Sequence, residues 1–429
     1  MRWLVARLGE DPILLAILIA GCALRIAWVA SANVHPMDDT LYYHQHAVDV
    51  AAGRGFLNPN NGQPTAFLPP GYSLLLGAAY WLFEPSQYVA GGLNVLVSAG
   101  IIVLTYMLAR RFAGRWAGRL AAAAFAFFPA LILYTNASLP DLLSTLLVLA
   151  ALVLAFPKDR EALKRGRLIA LGAIVGIALL TAPRLGLVVP AIAVSWLAWV
   201  SWRDALRSTA LVAGVAVAVV LPWTVRTFIQ LDAPVLIATN DGANLWVGNN
   251  EHATGTWMSW TGAPDDSWGY PAGNEVDESN RLRNEAVRYA LSHPWKTAKL
   301  WPAKYDYTFD DSFGYVAHFS LVTRTEKLPH WMDRPELENW INDPAHLVFR
   351  LGLAGIVLAL LLRRDLWMLL PTIAALLLPV FIFFGLDRYQ VPLLPLLMIF
   401  GAWGVTWALA LVQQAFPRRA VARLFGRAY

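Results

Sequence analysis

The chain is poor in cysteine and poor in charge. Its single cysteine, Cys22, rules out an internal disulfide and any multi-cysteine zinc or iron–sulfur site. Cys22 falls inside the first apolar run and reads as a small core residue. Charged residues make up 15% of the 429, where a soluble domain carries nearer a quarter. That leaves too little polar surface for a protein that sits in water. No fixed-period repeat and no low-complexity tract breaks the chain. There is no Walker motif and no glycine-rich dinucleotide fingerprint, so a nucleotide-driven cytoplasmic reaction has no support in the sequence.

What the chain has in abundance is apolar length. Hydrophobic residues are 57% of it, and runs near the 20 residues or so that cross a bilayer recur from end to end. They predict ten membrane helices, near 12–32, 88–109, 119–135, 139–156, 168–183, 185–200, 208–225, 346–362, 366–384 and 391–413. The run 70–83 is short for a full crossing and predicts a re-entrant or interfacial helix. A secreted soluble protein is excluded, because one signal peptide would not leave so many apolar runs.

Lysine and arginine set the orientation. Arg2 and Arg7 precede the first run, and Arg110, Arg111, Arg115 and Arg119 fill a later turn. Lys158, Arg160, Lys164, Arg165 and Arg167 fill another, followed by Arg203 and Arg207, Arg363 and Arg364, and Arg418, Arg419, Arg423 and Arg427. With ten spans every cluster falls on one side, which is therefore cytoplasmic. A complete crossing by 70–83 would break this parity at Arg110. The net charge of +5 is thus a topological signal, and no nucleic-acid partner is expected. The expected organisation is an N-terminal membrane module over 1–226, a large extracytoplasmic segment over 227–345, and C-terminal helices with a cytoplasmic tail over 346–429.

Two long polar segments, 33–69 and 227–345, lie outside and hold 20 of the 29 acidic residues. The cytoplasmic turns are too short to build a site, so the chemistry belongs to these two. In the first, Asp38 and Asp39 stand just past the first span. From Asp39 to about Ala52 the spacing is helical, with Tyr42 and His46 on one face. Gly53-Arg54-Gly55 ends that helix, and Asn58-Pro59-Asn60-Asn61-Gly62 predicts a turn. From spacing alone, an N-capping role and a catalytic role for the acidic pair both stay open.

The order of these features resembles the GT-C membrane glycosyltransferases, notably the protein O-mannosyltransferases and the lipid A aminoarabinose transferases. The likeness rests on the acidic pair, Tyr42, Ala47, Gly53-Arg54-Gly55-Phe56, and Pro69-Pro70-Gly71-Tyr72 opening an apolar helix. It continues in Pro222-Trp223-Thr224-Val225-Arg226, in Gly242 to Asn250 followed by Ala253-Thr254-Gly255, and in Arg388-Tyr389 with Pro392 and Pro395. Leu68 stands where the lipid A branch has lysine, and Asp141 stands where many relatives have glutamate.

The resemblance implies an all-α GT-C membrane fold, with short interfacial helices in the first outer loop and a large second outer loop. It implies transfer of a sugar from a polyprenyl-phosphate donor to a hydroxyl of a lipid, glycan or protein acceptor, on the outer face of a bacterial plasma membrane. It makes Asp38 the catalytic residue, acting as general base, with Asp39 in the second position. A single general base and no covalent intermediate would invert the anomeric centre. A divalent metal at the pair is an open alternative, since paired carboxylates suit hard cations.

The leaving phosphate needs cations at the membrane boundary, and Arg388, Arg184 and Lys304 are the candidates. Interfacial anchoring or snorkelling competes for each arginine, and a solvated loop charge competes for Lys304. Tyr42, Tyr43, His46, Tyr72 and Asn250 are the expected substrate contacts. Arg25, inside the first span, has Asp141 as an available partner. A transporter or flippase of a lipid-linked sugar is the rival class. It would call for inverted repeats, and the polar residues here gather on one face.

Overall fold

A computed structural model describes residues 11–32, 36, 38–157, 163–258, 274–309, 335–362 and 365–415. Arg2, Arg7, Lys158, Arg160, Arg363, Arg364 and the tail arginines lie outside the described residues, as do Trp260, Trp268 and Trp331. Among the described residues there is no strand, only the isolated bridges Leu57 to Pro64 and Thr256 to Gly385. A helix occupies each of the ten expected apolar segments. Five are long and apolar enough to cross a membrane, or six if one bent pair counts as a single span. The protein is therefore a multi-pass membrane protein.

Helix α1 (Pro12–Ser31) starts where Asp11 caps it, accepting from the Leu14 amide at 3.3 Å. Asp11 is almost fully buried and also accepts from Tyr106, Arg115 and Arg119 at 2.6, 3.0 and 2.9 Å. Two arginines of a basic turn thus hold the first span in place. Helices α2 (Asp38–Ala51) and α3 (Gly71–Leu82) pack together outside it. At 12 residues α3 is about 18 Å long, too short for a bilayer of about 30 Å. Exposed Trp81, Leu82 and Phe83 at its end suit the interface.

Helix α4 (Gln87–Ala113) is central, with 56% of its apolar window buried. Helix α5 (Arg115–Ala126) bends by 56° into α6 (Pro129–Leu133) and the 3-10 turn Tyr134–Asn136. Pro129 has no amide hydrogen to offer the carbonyl of Phe125. Arg25, fully buried in α1, supplies donors instead: to Phe125 O at 3.1 Å and Ala126 O at 2.7 Å. Arg25 therefore serves the kink and not Asp141, correcting the pairing available from sequence. The guanidinium fork fits because two adjacent carbonyls face it at the break.

Helices α7 (Asp141–Ala155), α8 (Arg165–Thr181) and α9 (Val188–Trp196) are short. Helix α10 (Trp202–Leu231) has 30 residues, about 45 Å, and projects beyond the bilayer. At its outer end Arg226 donates to the carbonyls of Thr65 and Phe56 at 2.6 and 3.0 Å. The first outer segment is thereby clamped to this helix. Buried Glu275 clamps it from the other side, accepting from the Thr65 hydroxyl at 2.5 Å and the Ala66 amide at 2.7 Å.

The segment between α10 and the last helices carries α11 (Asp241–Gly248), α12 (Glu275–Ser292), α13 (Pro294–Lys299) and α14 (Trp301–Phe309). The last helices are α15 (Pro335–Leu362), α16 (Leu370–Ile382) and α17 (Leu394–Ala415). Like α4, α17 is central, with 56% of its window buried against 22% for α10 and for α15. Gly248 lets α11 lie against α16, since a Cβ there would meet the carbonyl of Phe383.

Candidate active site

The acidic pair opens α2. Asp38 adopts a left-handed backbone, φ 47°, which aspartate accepts more readily than most residues. Both carboxylates sit in the first turn, where the helix dipole favours negative charge. Asp39 accepts from Arg388 Nη2 at 2.8 Å, with side chains 23% and 16% exposed. Arg388 belongs to the 3-10 turn Asp387–Gln390 between α16 and α17. Its amide donates to Asp387 Oδ1 at 2.8 Å, which shapes that turn.

A second ion pair stands beside the first. Arg184, in the turn Pro183–Leu187, donates to Asp141 Oδ1 at 3.0 Å. Asp141 is buried at the start of α7 and also accepts from the Tyr134 hydroxyl at 2.8 Å. The Arg184 guanidinium lies over the Tyr389 ring, 4.2 Å from its centroid. The Tyr43 phenol joins the two pairs: it lies within electrostatic reach of Asp39, Arg388, Asp141 and Arg184. Burial, with Asp39 adding, pushes its pKa far up, so it stays a neutral donor. Tyr42 is held protonated in the same way, by burial first and then by Asp38 and Asp39.

The other expected residues are placed elsewhere. Tyr72 is fully buried behind Tyr43, edge-on at 5.8 Å between ring centroids. His46 packs edge-on against Phe56 at 5.3 Å, and burial pushes its pKa down to about 4, so it is neutral at pH 7. Its charged neighbours are Asp49 and Arg226. Asn250 turns its amide back on its own loop, donating to Trp246 O at 2.8 Å and accepting from the His252 amide at 2.7 Å. Lys304 is fully buried and donates to Phe381 O at 3.0 Å, capping the end of α16. Burial pushes its pKa down to about 8.

Asp141 with Tyr134 is the part of this cluster that sequence reasoning assigned no site role. A carboxylate set after Pro140 in an apolar run was the available signal. Asp39 and Asp141 are each engaged by an arginine, and among the described residues no three His, Cys, Asp or Glu side chains converge. Among the described residues, a divalent cation could use Asp39 or Asp141 only by displacing the arginine that each one holds.

Residues 68–225 match the sequence model of the dolichyl-phosphate-mannose-protein mannosyltransferase family. The structure resembles the archaeal oligosaccharyltransferase AglB from Archaeoglobus fulgidus, solved with an inhibitory peptide and a dolichol-phosphate. The TM-score is 0.56 at 13% identity, over all of this chain and 52% of that one. The oligosaccharyltransferase of the same organism in complex with Zn and sulfate matches with TM-score 0.56 at 14% identity, over 94% of this chain and 50% of that one. The chain has the GT-C membrane glycosyltransferase fold. It spans about half the length of those two GT-C proteins. ArnT from Cupriavidus metallidurans, bound to undecaprenyl phosphate, is a weaker match, with TM-score 0.46 at 15% identity, over 94% of this chain and 79% of that one. No curated protein matches the chain in sequence.

Proposed function

We propose that the protein transfers a sugar from a polyprenyl-phosphate donor to a hydroxyl of a lipid, glycan or protein acceptor, on the extracytoplasmic face of a bacterial plasma membrane. The observation that carries this reading is the Asp39–Arg388 ion pair at 2.8 Å. It sets the acidic start of the first outer segment against a basic turn at the outer end of the last core helix. A general base and a phosphate-binding cation must both reach one reacting sugar, and this pair brings the acidic segment that carries Asp38 to the segment that carries Arg388.

Asp38 is the general base that takes the acceptor's proton as the hydroxyl attacks the anomeric carbon. The bond to the phosphate oxygen breaks through an oxocarbenium-like state, with inversion. Arg388 and Arg184 bind the departing phosphate, and bidentate guanidinium contacts suit its oxygens. Asp39 holds Arg388 until the phosphate competes for it. Neutral Tyr42 and Tyr43 donate to sugar or phosphate oxygens. Lys304, His46 and Asn250 are left out, because each is engaged in local structure as described above.

The test is transfer of radiolabelled sugar from short-chain polyprenyl-phosphate donors to a membrane lipid extract, by wild type and Asp38→Asn. Loss of a general base is expected to cost about 10²- to 10⁴-fold in rate, with donor binding and thermal unfolding unchanged. Equal transfer by both proteins removes Asp38 from the mechanism. Absence of transfer by wild type from any donor removes the glycosyltransferase reading itself.

A further inference from the structure

Asn94 sits two turns into α4, is fully buried, and has no place in the chemistry above. Its side-chain amide nonetheless touches the supports of both ion pairs. Through Nδ2 it donates to Thr135 O at 3.0 Å and Ala137 O at 2.8 Å. These carbonyls belong to the 3-10 turn after the α5–α6 break and to the residue that follows it. Tyr134, in that same turn, holds Asp141, and Asp141 holds Arg184. Through Oδ1 Asn94 accepts from the Tyr72 hydroxyl at 3.4 Å, and Tyr72 bonds Ser138 as well. The Tyr72 ring is the wall on which Tyr43 rests, and Tyr43 belongs to α2, the helix that carries Asp38 and Asp39.

We propose that Asn94 is a positioning residue that fixes the separation of the acidic helix start from the Arg184 side of the site. The inference rests on the proposed glycosyl transfer. An amide suits the task because it has two donors and one acceptor group on one rigid plane. The donors hold the turn behind Arg184, and the acceptor holds the wall behind Asp38 and Asp39. The helical segment ends at Asn136, so the Thr135 and Ala137 carbonyls have no helical donor four residues on, although Ala137 O also accepts from the Leu139 amide at 2.9 Å. An amide on the neighbouring helix meets both without adding a charge at membrane depth. A displacement of about 1 Å at a reacting centre can cost on the order of 100-fold in rate, so a spacer this far from the chemistry has leverage over it.

The two halves of the amide are separable by experiment. Asn94→Asp removes the donors and keeps an acceptor, whereas Tyr72→Phe removes only the hydroxyl. Asn94→Asp is expected to weaken binding of a short-chain polyprenyl phosphate, and to raise donor KM, by about 10-fold with kcat changed less than about twofold. Tyr72→Phe is expected to lower kcat by about 10-fold and to leave phosphate binding and donor KM within about twofold. General loosening of the fold would move both quantities in both variants, so that result overturns the inference, as does no change in either. If Asn94→Asp does not fold, Tyr72→Phe decides alone, and an unchanged kcat overturns the inference. If wild type transfers no sugar at all, the parent reading falls. The phosphate-binding comparison still stands by itself, with equal binding by wild type and Asn94→Asp overturning the positioning role.

Discussion

Neutralising Asp39 should tighten the grip on phosphate even as it harms transfer. Asp39 and Arg388 meet at 2.8 Å with about a fifth of each side chain exposed. Charges near 4 Å attract by about 1 kcal/mol in water and about 4 kcal/mol at an effective dielectric of 20. Screening and desolvation bring a partly exposed pair to about 1.5 kcal/mol net. A donor phosphate must overcome that before Arg388 can turn to it. Asp39→Asn keeps the shape of the side chain and removes the competing charge. Affinity for a short-chain polyprenyl phosphate should therefore rise by about tenfold, since 1.4 kcal/mol is a factor of ten. Arg388→Gln, the control, should lose binding by on the order of 10- to 100-fold, the worth of a charge-assisted contact. Titration calorimetry in detergent at constant ionic strength measures both. Unchanged or weaker binding by Asp39→Asn refutes the competition, and unchanged binding by Arg388→Gln removes Arg388 from the phosphate site.

Further expectations follow from the same geometry. Lys304→Met should leave donor KM unchanged, because the ammonium is spent on Phe381 O; a tenfold rise in donor KM would return Lys304 to the phosphate site. The pKa of Lys304 is depressed to about 8 from 10.5, so between those values the unfolded chain holds a proton that the folded one has released. Wild type should therefore gain stability relative to Lys304→Met as pH rises from 8 towards 10.5, by up to about 3 kcal/mol, read as Tm in detergent; a flat difference across that window contradicts the burial argument. Arg25→Met removes the guanidinium donors of the Phe125 and Ala126 carbonyls, leaving Phe125 O the long bond from the Phe128 amide at 3.4 Å, and should cost roughly 1–3 kcal/mol in all. Adding Pro129→Ala should recover part of that loss by restoring a helical donor, and strictly additive Tm changes would refute the coupling. Transfer should persist in a metal chelator, because Asp39 and Asp141 are each engaged by an arginine; full inactivation restored by a divalent cation would reverse that reading.

Much of the fold could be read directly from residue order, for a physical reason. A bilayer forces every spanning segment to be apolar and internally hydrogen-bonded, so helices announce themselves one by one. Each of the ten apolar segments does carry a helix, the turn at Asn58 to Gly62 is present, and 70–83 forms a helix of 12 residues. Length was less legible. Pro129 and the turn Pro183–Leu187 break or shorten apolar runs, so among the described residues five helices are long and apolar enough to cross, or six if the bent pair is one span. Charges inside the apolar runs were hardest to interpret. Arg25 and Asp141 look like partners on paper because both are expensive at membrane depth. The kink at Pro129 takes one, and the turn at Arg184 takes the other.

By itself the sequence determined that this is a multi-pass helical membrane protein. That property follows from apolar length, which is a local quantity. Only the tertiary structure decided which charges meet. Asp39 and Arg388 come from opposite ends of the chain, and Asp141 chooses Arg184 over Arg25. Asn94 touches the supports of both pairs. Lys304 is withdrawn from the surface to cap a helix. The desolvation cost of each buried charge is met by whichever donor or acceptor the packing brings within about 3 Å, and packing is a property of the whole chain.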